Sequence, residues 1–252
     1  MSIKPEIVKK LEQYLRSHQD MITREELYWF LNQYYGKLKE TTFRWRVYEL
    51  KAQGILYSAQ KDIFKLSNQK SEYKPFVHEQ MLLINSIIKK EFKDIKYCIW
   101  NTDWFNKFSR HQTSKRSVIV EAERDLLKSV FHKLQDRGLT DIYINPTSDV
   151  FDNYIADKSE SIIVKPLITK APLQTYDNII IPKLEKMLVD LFCEKYILAA
   201  YQGHEMKVIF ENVINNYNLN YSSLFNYTRR RKKEDELKQY LKQEALLKDE
   251  LL

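Results

Sequence analysis

Glycine is scarce in this chain, with 4 residues in 252, where average usage of about 7% would supply roughly four times as many. Gly36, Gly54, Gly138 and Gly203 each follow a segment with helical spacing, the place where a left-handed residue closes a helix and glycine suits it best. None is left to build a phosphate cradle. Neither GxxxxGKS/T nor GxGxxG can be written in this sequence, so nucleotide-binding loops of those kinds are excluded. Cysteine is scarcer still, with only Cys98 and Cys193. Two lone thiols cannot supply a CxxC zinc site, and without a leader peptide they point to a reduced, cytoplasmic protein with no structural disulfide. No apolar run approaches the roughly 18 residues that span a bilayer, so no membrane partner is expected. Histidines at 18, 78, 111, 132 and 204 never fall at HxxxH or HExxH spacing. No metal or cofactor site is expected.

Positive charge is what the chain has in excess. Lys and Arg number 41 against 34 Asp and Glu, a net charge of +7, which favours polyanionic partners such as nucleic acid. Residues 1–67 hold 12 Lys and Arg against 8 Asp and Glu, a net of +4 in about a quarter of the length.

In that same segment Pro5 opens a first helix carrying Ile7, Val8, Leu11, Tyr14 and Leu15. Thr23 and Glu26 then form a T-x-x-E capping box with Ile22 and Leu27 as its staple, starting a second helix that ends at Gly36. A third helix starts near Thr41 or Thr42, either of which can cap it, and stops at Gly54. The run ILYSAQKDIFKLS reads as a hairpin turning at Gln60, Lys61 and Asp62. Three short helices and a hairpin are the order of a winged helix-turn-helix module, whose third helix enters the DNA major groove.

On a wheel, Phe43, Val47 and Leu50 share the core arc of the third helix, while Thr41, Trp45 and Tyr48 lie opposite, with Arg44 and Arg46 on the flanks. Hydroxyls and guanidinium groups suit phosphates and base edges, and aromatics suit thymine methyls or sugars. Thr41, Thr42, Arg44, Trp45, Arg46 and Tyr48 are therefore candidate DNA contacts, with Lys61 at the wing tip. The other reading of an exposed Trp45 is a protein or dimer interface.

Residues 68–80 read as linker. From Met81 helical and β-rich segments alternate: MLLINSIIKKEFKD, the strand IKYCIW, the short helix DWFNKFSRH, the strand RSVIVEAE, the helix RDLLKSVFHKLQDRG, the strand DIYINP, the helix SDVFDNYIAD capped by Ser148, and the strand SESIIVKPLI. Such alternation implies an α/β layer. From about residue 182 the pattern is helical only, through KLEKMLVDLFCEKYILAAYQG, HEMKVIFENVINNYN and YSSLFNYTRRRKKEDELKQYLKQEALL. The expected fold is thus α/β with two domains: a winged helix-turn-helix at 1–67, then an α/β domain at 81–252 that closes as a helical subdomain.

Glu121 and Glu123 end a strand as carboxylates do in metal-dependent nucleases, and Asp141 or Asp149 could join them, yet the lysine expected two residues after the key acid is absent. No enzymatic activity is expected, with an inactive nuclease-like domain as the third reading. The run RRRKK at 229–233 is the densest positive stretch, and a folded helix carries it. Arg229, Arg230 and Arg231 are accordingly further candidate DNA contacts, against a solvated face as the plainer reading.

The order of a winged helix-turn-helix, an α/β segment and closing helices resembles, over most of the chain, the AbiEi-type antitoxin and transcriptional-regulator family of viral defence systems. The resemblance rests on a proline-led LEKxLVDL segment, here Pro182, Leu184, Glu185, Lys186, Leu188, Val189, Asp190 and Leu191, and on a Tyr-x-Arg-rich helix at Tyr227 to Arg231. It implies autorepression, with the winged helix bound to inverted repeats in its own promoter. It also implies that the C-terminal domain counters a nucleotidyltransferase-like toxin, directly or indirectly.

Overall fold

A computed structural model describes residues 3–18, 20–67, 73–247 and 251. They form two compact units, the first drawn from residues 3–67, 216–222 and 251, the second from 73–215 and 223–247. Of the linker expected at 68–80, residues 68–72 lie outside the described residues. Residues 73–80 belong to the second unit, with Tyr73 and Pro75 buried.

In the first unit α1 (Pro5–Ser17) starts on a proline, whose missing N–H costs nothing in a first turn, and buries Ile7, Leu11 and Leu15 at helical spacing. A three-residue strand, β1 (Met21–Thr23), leads into α2 (Arg24–Tyr35). The capping box is formed. Thr23 Oγ1 accepts from the Glu26 N–H at 3.2 Å, and Glu26 Oε2 accepts from the Thr23 N–H at 2.8 Å. Thr23→Ala should therefore lower stability by about 1 kcal/mol in urea unfolding; an unchanged midpoint would show that the box is silent.

Helix α3 (Glu40–Ala52) begins one residue before the threonines, and its N-cap, Lys39, makes no side-chain bond. Neither Thr41 nor Thr42 caps it. The first turn carries Glu40 instead, a negative charge at the positive end of the helix, and Glu40 also pairs with Arg24 and Arg44. Phe43, Val47 and Leu50 are buried in one cluster with Leu11, Leu27 and Leu31. Strands β2 (Leu56–Gln60) and β3 (Ile63–Leu66) make the hairpin, and β1 adds to it, giving an antiparallel sheet ordered β1-β3-β2. The turn is the pair Lys61–Asp62, with Asp62 at φ 59°, and a register shift between Ser58 and Gln60 leaves Ala59 unpaired.

The second unit opens with α4 (Glu79–Glu91) and strands β4 (Tyr97–Asn101) and β5 (Arg116–Ala122), followed by α5 (Leu127–Asp136), β6 (Ile142–Ile144) and β7 (Glu160–Pro166). The sheet order is β4-β5-β7-β6, antiparallel at β4/β5 and parallel elsewhere. β4, β5 and β7 are buried along nearly their whole length, the pattern of strands covered on both faces. The protein is thus mixed α/β.

Several local readings change. DWFNKFSRH forms a 3-10 helix, Thr102–Lys107, rather than an α-helix. SDVFDNYIAD gives a three-residue α6 (Ser148–Val150), capped by Thr147 rather than Ser148, which widens into a π-helical turn at Phe151–Ile155. An additional hairpin, β8 (Leu173–Tyr176) and β9 (Ile179–Pro182), turns on Asp177 and Asn178, both left-handed at φ 47° and 61°, as a two-residue hairpin turn of the primed kind requires.

After it, α7 (Leu184–Cys193) stops ten residues before Gly203, because Glu194 leaves helical geometry to reach cationic partners. Gly203, at φ 63°, instead precedes α8 (His204–Asn216). The last helical run is two helices, α9 (Tyr221–Arg230) and α10 (Glu234–Gln243), broken at Lys232 with φ 55°. Among the described residues no helix is long and apolar enough to cross a membrane.

Candidate nucleic-acid interface and a buried ionic chain

The outer side of α3 is open to solvent. Thr41, Thr42, Arg44, Trp45 and Tyr48 are all exposed, Trp45 by 56% and Tyr48 by 69%, and the two rings meet edge to face with centroids 6.2 Å apart. Arg44 donates from Nε to Glu40 Oε1 at 2.9 Å, yet its side chain stays largely in water. Lys61 sits exposed at the hairpin turn, its backbone N–H donating to Ser222 Oγ at 2.9 Å.

Arg46 is placed differently from its neighbours. It donates from Nη1 to Glu49 Oε2 at 3.0 Å, and its guanidinium lies 4.6 Å from the Tyr35 ring centroid. With its side chain only 11% exposed, it ties α3 to the unit's interior and is not offered to a ligand. Glu49, buried beside it, also accepts from the Ile3 N–H at 2.8 Å.

The basic run also changes character once folded. Arg229 and Lys233 are matched by acids on the next helix: Arg229 donates from Nε to Glu234 Oε2 at 2.6 Å, and Lys233 Nζ donates to Glu236 Oε1 at 2.6 Å. Arg231 turns inward, donating from Nη2 to Glu194 Oε1 at 2.6 Å with Nη1 3.6 Å from Asp190 Oδ1, and is only 14% exposed. Of the three candidate arginines, Arg229 and Arg230 remain at the surface and Arg231 does not.

Arg231 belongs to a chain of buried charges in the second unit. Trp100 on β4 donates from Nε1 to Glu121 Oε1 at 3.1 Å, and Lys186 Nζ donates to that same oxygen at 2.8 Å. Lys186 also pairs with Asp190 one turn on, and Tyr227 donates its hydroxyl to Asp190 Oδ1 at 3.0 Å. Arg231 joins Asp190 to Glu194, and Glu194 pairs with Lys165 on β7. Glu121 and Lys165 are register partners on the parallel strands β5 and β7, while Lys186, Asp190 and Glu194 follow a four-residue spacing along and just beyond α7. Three cations thus meet three carboxylates, and Lys186 is fully buried.

The titration behaviour follows from that geometry. Burial works to lower the Lys186 pKa, but Asp190 and Glu121 hold it well above the ordinary lysine value. Burial first, then the Asp190 charge, pushes Tyr227 up. For Glu194 burial acts upward, yet Lys165 and Arg231 overcome it and hold the carboxyl at about 2. Each carboxylate of the chain has at least one cationic partner, which is how buried charges are tolerated.

The nuclease-like acids are dispersed. Glu121 is committed to Lys186 and Trp100, Glu123 accepts from the Lys96 N–H at 3.3 Å, Asp141 pairs with Lys158 at 2.8 Å, and Asp149 is exposed on α6. Among the described residues no group of three or more His, Cys, Asp or Glu stands where it could hold a metal ion.

The ionic chain was the feature least visible beforehand, although Lys186, Asp190 and Glu194 are a readable stripe of alternating charge in an otherwise apolar segment. No curated protein matches the chain. Residues 42–246, from the first turn of α3 past the end of α10, match the family of unknown function designated DUF6577, and the chain belongs to that family.

Proposed function

We propose that the protein is a DNA-binding transcriptional regulator, acting without cofactor or catalysis in the cytoplasm, whose first unit is a winged helix-turn-helix. The observation that carries this reading is the division of α3. Phe43, Val47 and Leu50 lock one side into the core, and Thr41, Thr42, Arg44, Trp45 and Tyr48 occupy the side in water. The order of helices, the sheet β1-β3-β2 and Lys61 at the hairpin turn fit a wing beside such a helix. Arg44, Lys61 and, on the second unit, Arg229 and Arg230 supply phosphate contacts in this reading; Thr41, Thr42, Arg44, Trp45 and Tyr48 supply base selection. By the resemblance to AbiEi-type regulators over most of the chain, the operator is an inverted repeat in its own promoter. The opposed activity is then a nucleotidyltransferase-like toxin.

Fluorescence anisotropy with duplex from the protein's own upstream region tests the reading. Arg44→Ala and Trp45→Ala should each weaken specific binding about tenfold or more, consistent with about 1–3 kcal/mol per base contact. Lys61→Ala should weaken all sequences alike and reduce the salt slope by about one. If both α3 variants bind as the wild type does, the DNA reading is wrong.

One observation favours a second reading, a protein interface on the same unit. Trp29 is 66% exposed, in addition to Trp45 and Tyr48, and large aromatics in water often mark partner surfaces. If Trp45→Ala leaves DNA binding intact while lowering the mass seen by light scattering, that interface takes the place of the groove.

A further inference from the structure

A cleft of about 170 Å³ opens in the second unit where β4 ends and β5 and β7 begin. Its inner walls are apolar, from Phe151, Ile155, Ile197 and Tyr201, with Tyr196 meeting Phe151 edge to face at 5.8 Å. The π-helical turn at Phe151–Ile155 builds one wall; its wide bond runs from the Ala156 N–H to the Phe151 carbonyl at 2.8 Å. Such turns are uncommon and concentrate at functional sites.

The charged side chains lining the cleft are all cationic: Lys115, Arg116 and Lys158. Their acidic partners, Asp157 at 3.5 Å from Lys115, Glu160 beside Arg116 and Asp141 at 2.8 Å from Lys158, lie outside the lining. Hydroxyls of Thr102, Thr113 and Ser117 complete the polar side. A cavity of roughly 150 Å³ with apolar walls accommodates a benzene ring, and aromatic walls favour a ring offered edge to face. Each of these cations already has one acid partner, which suits a singly charged head rather than a doubly charged one.

We propose that this cleft binds a small monocyclic aromatic monocarboxylate, the ring against Phe151, Ile155 and Tyr201 and the carboxylate at Lys115, Arg116 and Lys158. The site does not depend on the DNA-binding reading, since every residue in it belongs to the second unit.

The probe is benzoate, titrated into the full-length chain and followed by amide chemical shifts. Saturable binding with Kd near about 1 mM is expected, as for a fragment of this size. Benzamide, the same shape without the charge, should bind about tenfold more weakly. Ala200→Trp, at an exposed lining position, should abolish binding without changing the melting temperature, and Lys115→Gln with Lys158→Gln should weaken benzoate while sparing benzamide. The proposal is overturned by equal affinity for benzoate and benzamide, by undiminished binding to Ala200→Trp, or by shifts that never saturate.

Discussion

Lys186→Met should cost about 3–5 kcal/mol of folding stability at pH 7, measured by urea unfolding with tryptophan fluorescence. The side chain is fully buried and holds Glu121 at 2.8 Å and Asp190 one turn away. Methionine preserves much of its volume, so packing loss is small, and the cost comes from leaving the carboxylates with one cation too few in a medium that cannot solvate them. Two companion results separate this from a cavity effect. Glu121→Gln together with Lys186→Met restores the balance, pairing Asp190 with Arg231 and Glu194 with Lys165, and should recover a good part of the loss. Lowering the pH should narrow the gap between the single variant and the wild type, because the surplus carboxylate can then fold protonated. A loss under about 1 kcal/mol at pH 7 would mean that water reaches these groups.

The second large effect is an acid transition traceable to Glu194. Its carboxyl is held at about 2 in the folded protein, against an ordinary value of 4.5, because Lys165 and Arg231 outweigh the opposing effect of burial. A depressed carboxyl pKa contributes stability that is fully present above the unfolded value and is lost as pH falls through the folded one. The window is therefore from about 4.5 down to about 2, and the contribution is on the order of 3 kcal/mol. Urea midpoints taken across that window should fall for the wild type and stay flatter for Glu194→Gln, which starts lower at pH 7. Parallel curves for the two proteins would remove Glu194 as the cause.

How far the sequence was readable depends on the range of the interaction that decides each feature. The capping box at Thr23 and Glu26 is complete within four residues, and the core side of α3 is set by its own periodicity. Both could be read directly. Strand β1 is three residues long, too short to show alternation, and it exists because Ile22 pairs with Phe64. The two inward-turned arginines make the sharpest contrast. Arg46 is drawn in by Glu49, three residues on, so the cause lies within one turn of the same helix. Arg231 is drawn in by Glu194, 37 residues back, and nothing local distinguishes it from Arg230. The break at Lys232 follows from the same pull, since one arginine of a like-charged run turns inward while Arg229 pairs with Glu234. Glu121 reads locally as a nuclease-like carboxylate at a strand end, and what claims it is Lys186, 65 residues away.

The first unit is not finished when its hairpin has been made. Residues 216–222 belong to it, and the Lys61 N–H waits for Ser222, 161 residues further along. At a synthesis rate of about 5–20 residues per second, that interval is roughly 8–30 s. During it the ribosome displays α3 and the hairpin without their last segment. A nascent chain arrested near residue 200 would carry all of α3's exposed side chains and still lack the piece that completes the unit, so completion of the first unit is timed by elongation as well as encoded in the fold.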